Sequence, residues 1–130
     1  MIEVSVFNET NFSIDEQALQ RVVSRVFLSR GVTIAAVGVH VIDRPRMIQL
    51  NEQYKHHQGE TDVLSFVLHD PEQPTPAFLE TAETETEYGD IFLCYPVIAE
   101  EAQEQGSAVG EQLEFLTEHG CLHLLGEHHE

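Results

Sequence analysis

Three histidines near the end of the chain, His119, His123 and His129, fall at H-x3-H-x5-H spacing within His119-Gly-Cys-Leu-His-Leu-Leu-Gly-Glu-His-His129. On a helix, residues four apart project from one face a turn apart, so His119 and His123 form a two-pronged grip for a metal ion. Gly126 stands where a helix ends in a residue tolerant of positive φ, which predicts a turn that brings His129 back towards the same ion. Three neutral imidazoles at about 2.0–2.1 Å fill three corners of a zinc tetrahedron and leave the fourth for water, the pattern of catalytic rather than structural zinc. Water bound in this way has a pKa near ~7 and is a nucleophile at neutral pH. His128 is the alternative third ligand, or else a solvent-facing neighbour. The expected cofactor is one Zn2+, although imidazole also suits nickel and copper. Gly120 occupies the place where H-E-x-x-H keeps its general-base Glu, which argues against peptide hydrolysis.

Several elements must hold these histidines in place. In the last helix Leu113, Leu116, Gly120 and Leu124 form an apolar stripe, with the His119/His123 pair on its flank at the border of core and cleft. Upstream, Glu3 to Phe7 alternates as a strand, and Ser13-Ile-Asp-Glu16 reads as a capping box. The helix it opens carries Leu19, Val22, Val23, Val26 and Phe27 and stops at Gly31. Val32 to Ile42 is a Val/Ile-rich buried strand interrupted at Gly38. Asp43 caps the next helix, with Pro45 in its first turn; Met47, Ile48 and Leu50 point inward, and Asn51, Tyr54 and Lys55 lie towards its end. His56, His57 and Gly59 form a polar exit. Thr61 to Val67 is a third strand, His69 to Tyr88 a long acidic loop with prolines, and Gly89 to Cys94 a fourth strand. Pro96 starts a helix running to about Gln105, and Gly106-Ser107 separates it from the last one. Strands alternating with helices predict a layered α/β or α+β structure over residues 1–130 as one domain.

Composition limits the partners. Six Lys and Arg against 23 Asp and Glu give a formal charge of −17, which repels a polyanion as a whole. Arg44, Arg46 and Lys55 nevertheless lie in one mid-chain segment, where they can form a local positive lip, while Asp70 to Glu87 concentrates carboxylates. Two cysteines, Cys94 and Cys121, are too few for a disulfide framework, and a reduced cytoplasm is the expected location. Met1 to Val6 has no basic, then apolar, export signal, and no apolar run reaches membrane-spanning length; no membrane partner is expected.

Taken together, the histidine segment, Thr61-Asp-Val-Leu-Ser-Phe66 and Gly89-Asp-Ile-Phe92 resemble the YbeY family of bacterial metal-dependent endoribonucleases, also called rRNA maturation factors. The likeness runs from Leu50-Asn51 to the end of the chain, and the family pattern H-G-x-L-H-L-x-G-Y-D-H carries its three metal ligands over to His119, His123 and His129. It implies an α+β, zincin-like fold with a four-stranded, mostly parallel mixed sheet, and a metal site on the C-terminal helix. It further implies zinc-dependent cleavage of single-stranded RNA, work on the 3′ end of small-subunit rRNA, a part in ribosome quality control, and the small ribosomal subunit or its proteins as partners. Lys55 stands where the family places an Arg facing RNA, so it is the expected catalytic and phosphate-binding cation, helped by Arg44 and Arg46. Lys lacks the planar bidentate fork of Arg. Glu127-His128 replaces Tyr-Asp beside the third ligand. The other readings are a noncatalytic, metal-containing ribosome-assembly factor and a metallohydrolase of another substrate.

Overall fold

Alternation of apolar and polar residues in Ile2–Asn8 builds the first strand, β1, and the computed structural model, which describes residues 1–55, 61–67 and 87–127 apart from the side chains of Lys55 and Glu87, shows what it pairs with. The element order continues α1 (Glu16–Ser29), β2 (Ala35–Ile42), α2 (Arg44–Leu50), a π-helical turn (Asn51–Lys55), β3 (Val63–Val67), β4 (Glu87–Cys94), α3 (Tyr95–Gln105) and α4 (Val109–Leu124). The four strands form one mixed sheet in the order β1-β2-β4-β3. β1, β2 and β4 are parallel and β3 is antiparallel to β4, so the expected mostly parallel mixed sheet of an α+β fold is what the chain adopts.

Successive residues of a strand face opposite sides of the sheet, and this divides the core in two. Val37, Val39 and Val41 of β2 and Ile91 and Leu93 of β4 face one side, where they meet Leu19, Val22, Val23, Val26 and Phe27 of α1 and Leu113, Leu116 and Leu124 of α4. Phe92 and Cys94 face the other side with Phe66 of β3, under Met47 and Leu50 of α2. Each large apolar side chain buried in this way contributes about 1.5–3 kcal/mol relative to exposure, most of which conformational entropy offsets.

Several boundaries differ from those read in the sequence. Helix α1 is capped by Asp15 rather than Ser13: the Asp15 carboxylate accepts from Ala18 N–H at 3.1 Å, which leaves Ile14 outside the helix and packed against the larger core. A charged acceptor at a helix N-terminus is at least as good a cap as a hydroxyl, and Ile14 has apolar surface to bury. Strand β2 begins only at Ala35, because Val32 N–H instead closes α1 by donating to Phe27 O. It then runs through Gly38 without a break, paired with Ser5 on one side and Asp90 on the other. Strand β4 starts at Glu87, two residues before Gly89. Asp43 caps α2 as expected, by accepting from Arg46 N–H. Met47 and Leu50 are buried, but Ile48 only partly. The sequence-derived exit at His56, His57 and Gly59, and the acidic loop except its last two residues, Glu87 and Tyr88, lie outside the described residues.

A histidine pair on the last helix and the groups around it

Helix α4 owes its seat to a residue with no side chain. Gly120 is buried against β4, and a Cβ there would come within 2.9 Å of Ile91 Cγ2. Position 120 therefore faces the sheet, and a glutamate in an H-E-x-x-H arrangement would be driven into the core. The buried stripe includes Leu113, Leu116, Gly120 and Leu124 as the sequence implied, together with Thr117 and Cys121. Burial, reinforced by the nearby charge of Glu118, pushes the Cys121 thiol up to about 12. It stays protonated at neutral pH, although it lies between the two histidines in sequence, and its side chain is packed in the larger core.

On the flank of that stripe, His119 and His123 are half-buried, their ring centroids 4.6 Å apart and tilted by 53°. Their Nε2 atoms approach to 3.1 Å. Two nitrogens at tetrahedral zinc distances are about 3.3 Å apart, so the pair already has nearly the spacing that two corners of a zinc site require. Among the described residues, no three His, Cys, Asp or Glu side chains converge to hold a metal ion. His128 and His129 lie outside the described residues.

The chain leaves α4 through the turn that Gly126 predicts. Gly126 has φ +86°, its N–H donates to His123 O at 3.0 Å, and Glu127 N–H donates to Leu122 O at 2.8 Å. These paired bonds form a Schellman motif, which favours glycine because a Cβ is strained at that φ. Two ion pairs reach across from α1 on either side of the histidines: Arg25 to Glu118 at 3.4 Å, and Arg30 Nε to Glu127 at 2.8 Å.

The expected cationic residues are placed differently. Arg44 and Arg46 lie on α2, over the sheet face that carries Phe92, whereas α4 covers the face that carries Ile91. Arg44 is engaged by Glu100 on α3, and that hydrogen bond and charge hold the Glu100 carboxyl below the usual range. Arg46 donates to Gln49 at 3.1 Å. Lys55 is the last residue of the π-helical turn, in which Asn51 is buried and Tyr54 meets Phe66 edge-on.

Sequence reasoning passed over two further polar groups. His40 is a lone polar residue among the valines of β2. Its ring is stacked between Phe7 and Phe92, with Nε2 2.6 Å from Asp90 Oδ1 and Nδ1 3.6 Å from Glu9. Gly38 leaves the space that the Asp90 carboxylate fills. The signal was a histidine out of character with its strand, but its partner is 50 residues away and visible only once β2 and β4 are in register. The other group is Glu101 on α3, whose carboxyl is pushed up to about 7 by burial and by the charges of Asp62 and Glu104.

In fold, the chain resembles the solution structure of a protein from Thermotoga maritima, with a TM-score of 0.60 and 23% identity, over 100% of this chain and 75% of that one. The α+β class with a four-stranded mixed sheet is thus shared with a solved structure. A family model described as endoribonuclease YbeY matches residues 5–130. Proteins named endoribonuclease YbeY are 34% identical in Coxiella burnetii, over 99% of this chain and 82% of that relative, and 36% identical in Micrococcus luteus, over 97% and 78%. The chain belongs to the YbeY family of endoribonucleases, hydrolases that cut RNA. No described helix is long and apolar enough to cross a membrane.

Proposed function

We propose that this chain is a zinc-dependent, single-strand-specific endoribonuclease that matures the 3′ end of small-subunit rRNA and takes part in ribosome quality control in the cytoplasm, with the small subunit or its proteins as partners. The observation that carries this reading is the 3.1 Å approach of His119 and His123 Nε2 on a half-buried helix flank, in a member of an endoribonuclease family. His119 and His123 would hold the metal, with His129 as third ligand and His128 as the alternative. The bound ion supplies Lewis-acid polarisation of a phosphoryl oxygen and an activated water. The chain supplies orientation: Gly120 fixes α4 on the sheet, the buried stripe sets the rotation of the helix, and the Gly126 turn ends it just beyond the histidine pair.

Lys55 would meet the substrate phosphate as a point charge, with Arg44 and Arg46 as accessory cations, Arg44 by exchanging Glu100 for phosphate. Lys55→Ala should depress cleavage with metal content unchanged, while Lys55→Arg preserves or improves it. Equal cleavage rates and equal salt slopes of RNA affinity for wild type and Lys55→Ala would remove this residue from the substrate path.

The whole reading is tested by metal analysis of the purified protein beside a cleavage assay on single-stranded RNA, with His123→Ala as control. Stoichiometric zinc and activity lost together in the variant are the expected result. Undiminished cleavage by His123→Ala would defeat it.

A further inference from the structure

The sheet ends at β1 in a row of open backbone groups. Ala35 N–H donates to Met1 O and Glu9 N–H donates to Val41 O, so the odd-numbered residues of the strand turn their backbone groups to β2. Neighbouring residues of a strand direct these groups to opposite sides, which leaves the N–H and C=O of Ile2, Val4, Val6 and Asn8 pointing away from the sheet. Among the described residues, one bond meets them, from Gln20 Nε2 of α1 to Val4 O at 3.3 Å. Sheet edges are commonly blunted by lysine, proline or a bulge. β1 has none of these along its seven residues, and Glu3 is the one charge within it.

We infer that the β1 edge is a docking site for an extended, basic segment of another protein, which adds to the sheet as a further strand. Main-chain pairing of this kind supplies affinity, and the side chains on the two faces of the added strand supply selectivity. Glu3, Ser5 and Phe7 are exposed on the open face of the sheet and border a cleft of about 190 Å³, so incoming side chains on that face meet the carboxylate of Glu3. On the other face Ile2, Val4 and Val6 lie against the larger core, and Gln17, Gln20, Arg21 and Ser24 line the neighbouring flank of α1. That flank suits short polar side chains and repels a cation. The segment that fits therefore carries lysine or arginine at alternate positions, with residues such as threonine between them. A total charge of −17 draws such a segment in from a distance.

A second copy of the chain fits the same edge badly. Strands paired edge to edge lie about 4.8 Å apart. Helix α1 packs over β1 far more than over β2. Two copies joined through β1 would bring their α1 helices well inside the roughly 8–10 Å that packed helices need, and would set two charges of −17 side by side. A lone strand meets neither obstacle. An RNA strand has no backbone N–H to offer and carries the wrong charge.

The probe is a short peptide in which lysine alternates with threonine, added to the full-length protein at low ionic strength while amide hydrogen exchange is read residue by residue by NMR. Binding should slow exchange at the outward N–H groups of Val4 and Val6 and leave Glu3, Ser5 and Phe7, already bonded to β2, as they were. Val4→Pro deletes one outward N–H without removing a bond to β2, and should weaken the peptide by about tenfold or more. Glu3→Lys should weaken it by roughly two- to fivefold, an effect that added salt diminishes. The same peptide N-methylated at every residue keeps its charges but cannot pair, and it should not bind; this control asks nothing of the folding of a variant. Equal binding by the N-methylated peptide would overturn the inference by showing that charge alone holds it. So would equal binding by a peptide with glutamate in place of lysine, or protection that fails to alternate along β1. Sedimentation that finds a wild-type dimer which Val4→Pro dissociates would also overturn it, by giving the edge to a second copy.

Discussion

Two histidine environments in this molecule use the same side chain for opposite ends. His40 is enclosed by groups that complete it: a carboxylate at 2.6 Å from one ring nitrogen, another at 3.6 Å from the other, and aromatic rings on both faces. His119 and His123 instead turn ring nitrogens towards each other at 3.1 Å. One of them can donate to the other, or both can offer lone pairs to a shared cation. A carboxylate in contact with an imidazole marks it as a partner in a polar pair. Nitrogens that approach each other in this way have the spacing that a shared cation would require.

The largest expected effect separates the two environments outright. His119→Ala and His123→Ala should each weaken zinc binding by more than the roughly 10- to 100-fold typical of losing an outer-sphere partner, whereas His40→Ala should leave zinc affinity where it was. Equilibrium dialysis against zinc decides this. A His40→Ala protein that loses its metal would end the contrast.

The second effect concerns stability rather than metal. Removing His40 or Asp90 leaves its part-buried partner without its hydrogen bond, and each alanine variant should lose about 1–3 kcal/mol in urea titration, with Asp90→Asn intermediate. Gly38→Ala should behave similarly, because the added methyl would land on the Asp90 carboxylate and push it out of its niche. Unchanged midpoints in this set would mean that His40 is not held as its surroundings imply.

The smallest effect is a pH dependence outside both histidine groups. The Glu101 carboxyl keeps its proton up to about 7, whereas its ordinary value is 4.5, so the folded chain binds more protons between those limits. Its contribution is fully present below about 4.5 and is lost as pH rises through about 7. Glu101→Gln should therefore raise the thermal midpoint at alkaline pH and leave it unchanged in acid, by less than about 1 kcal/mol because part of the carboxyl is solvated. A gain of equal size at both pH values would show that charge is not its cause.

Much of the architecture was legible because it rests on local rules. Periods of 2 and 3.6, Asp43 before Pro45, and Gly31 and Gly106 after helices all act within a few residues, and the elements they predict are present. The His119/His123 pair was legible for the same reason, since a helix brings i and i+4 together whatever surrounds it. What the sequence concealed is what strand register and helix packing bring together from afar: His40 with Asp90, Arg30 with Glu127, and Arg44 with Glu100. In each of these pairs one partner is a charged residue of a type common throughout the chain, so no spacing rule could single it out. The placement of the first helix cap was missed on a finer scale, because Ser13 and Asp15 are both good caps and the choice turned on where Ile14 could be buried.

The position of Cys121 has a consequence for how the protein meets oxidants. A thiol that loses its proton only near 12 has almost no thiolate at neutral pH, and Cys94 is equally buried. Sulfenylation and alkylation both require the thiolate and access to it, so neither reaction should begin on the native helix that bears the histidines. Each thiol becomes reactive only when its surroundings open. The rate at which a thiol reagent modifies Cys121 is therefore a clock for the transient lifting of α4 from the sheet, read without any added label in the protein.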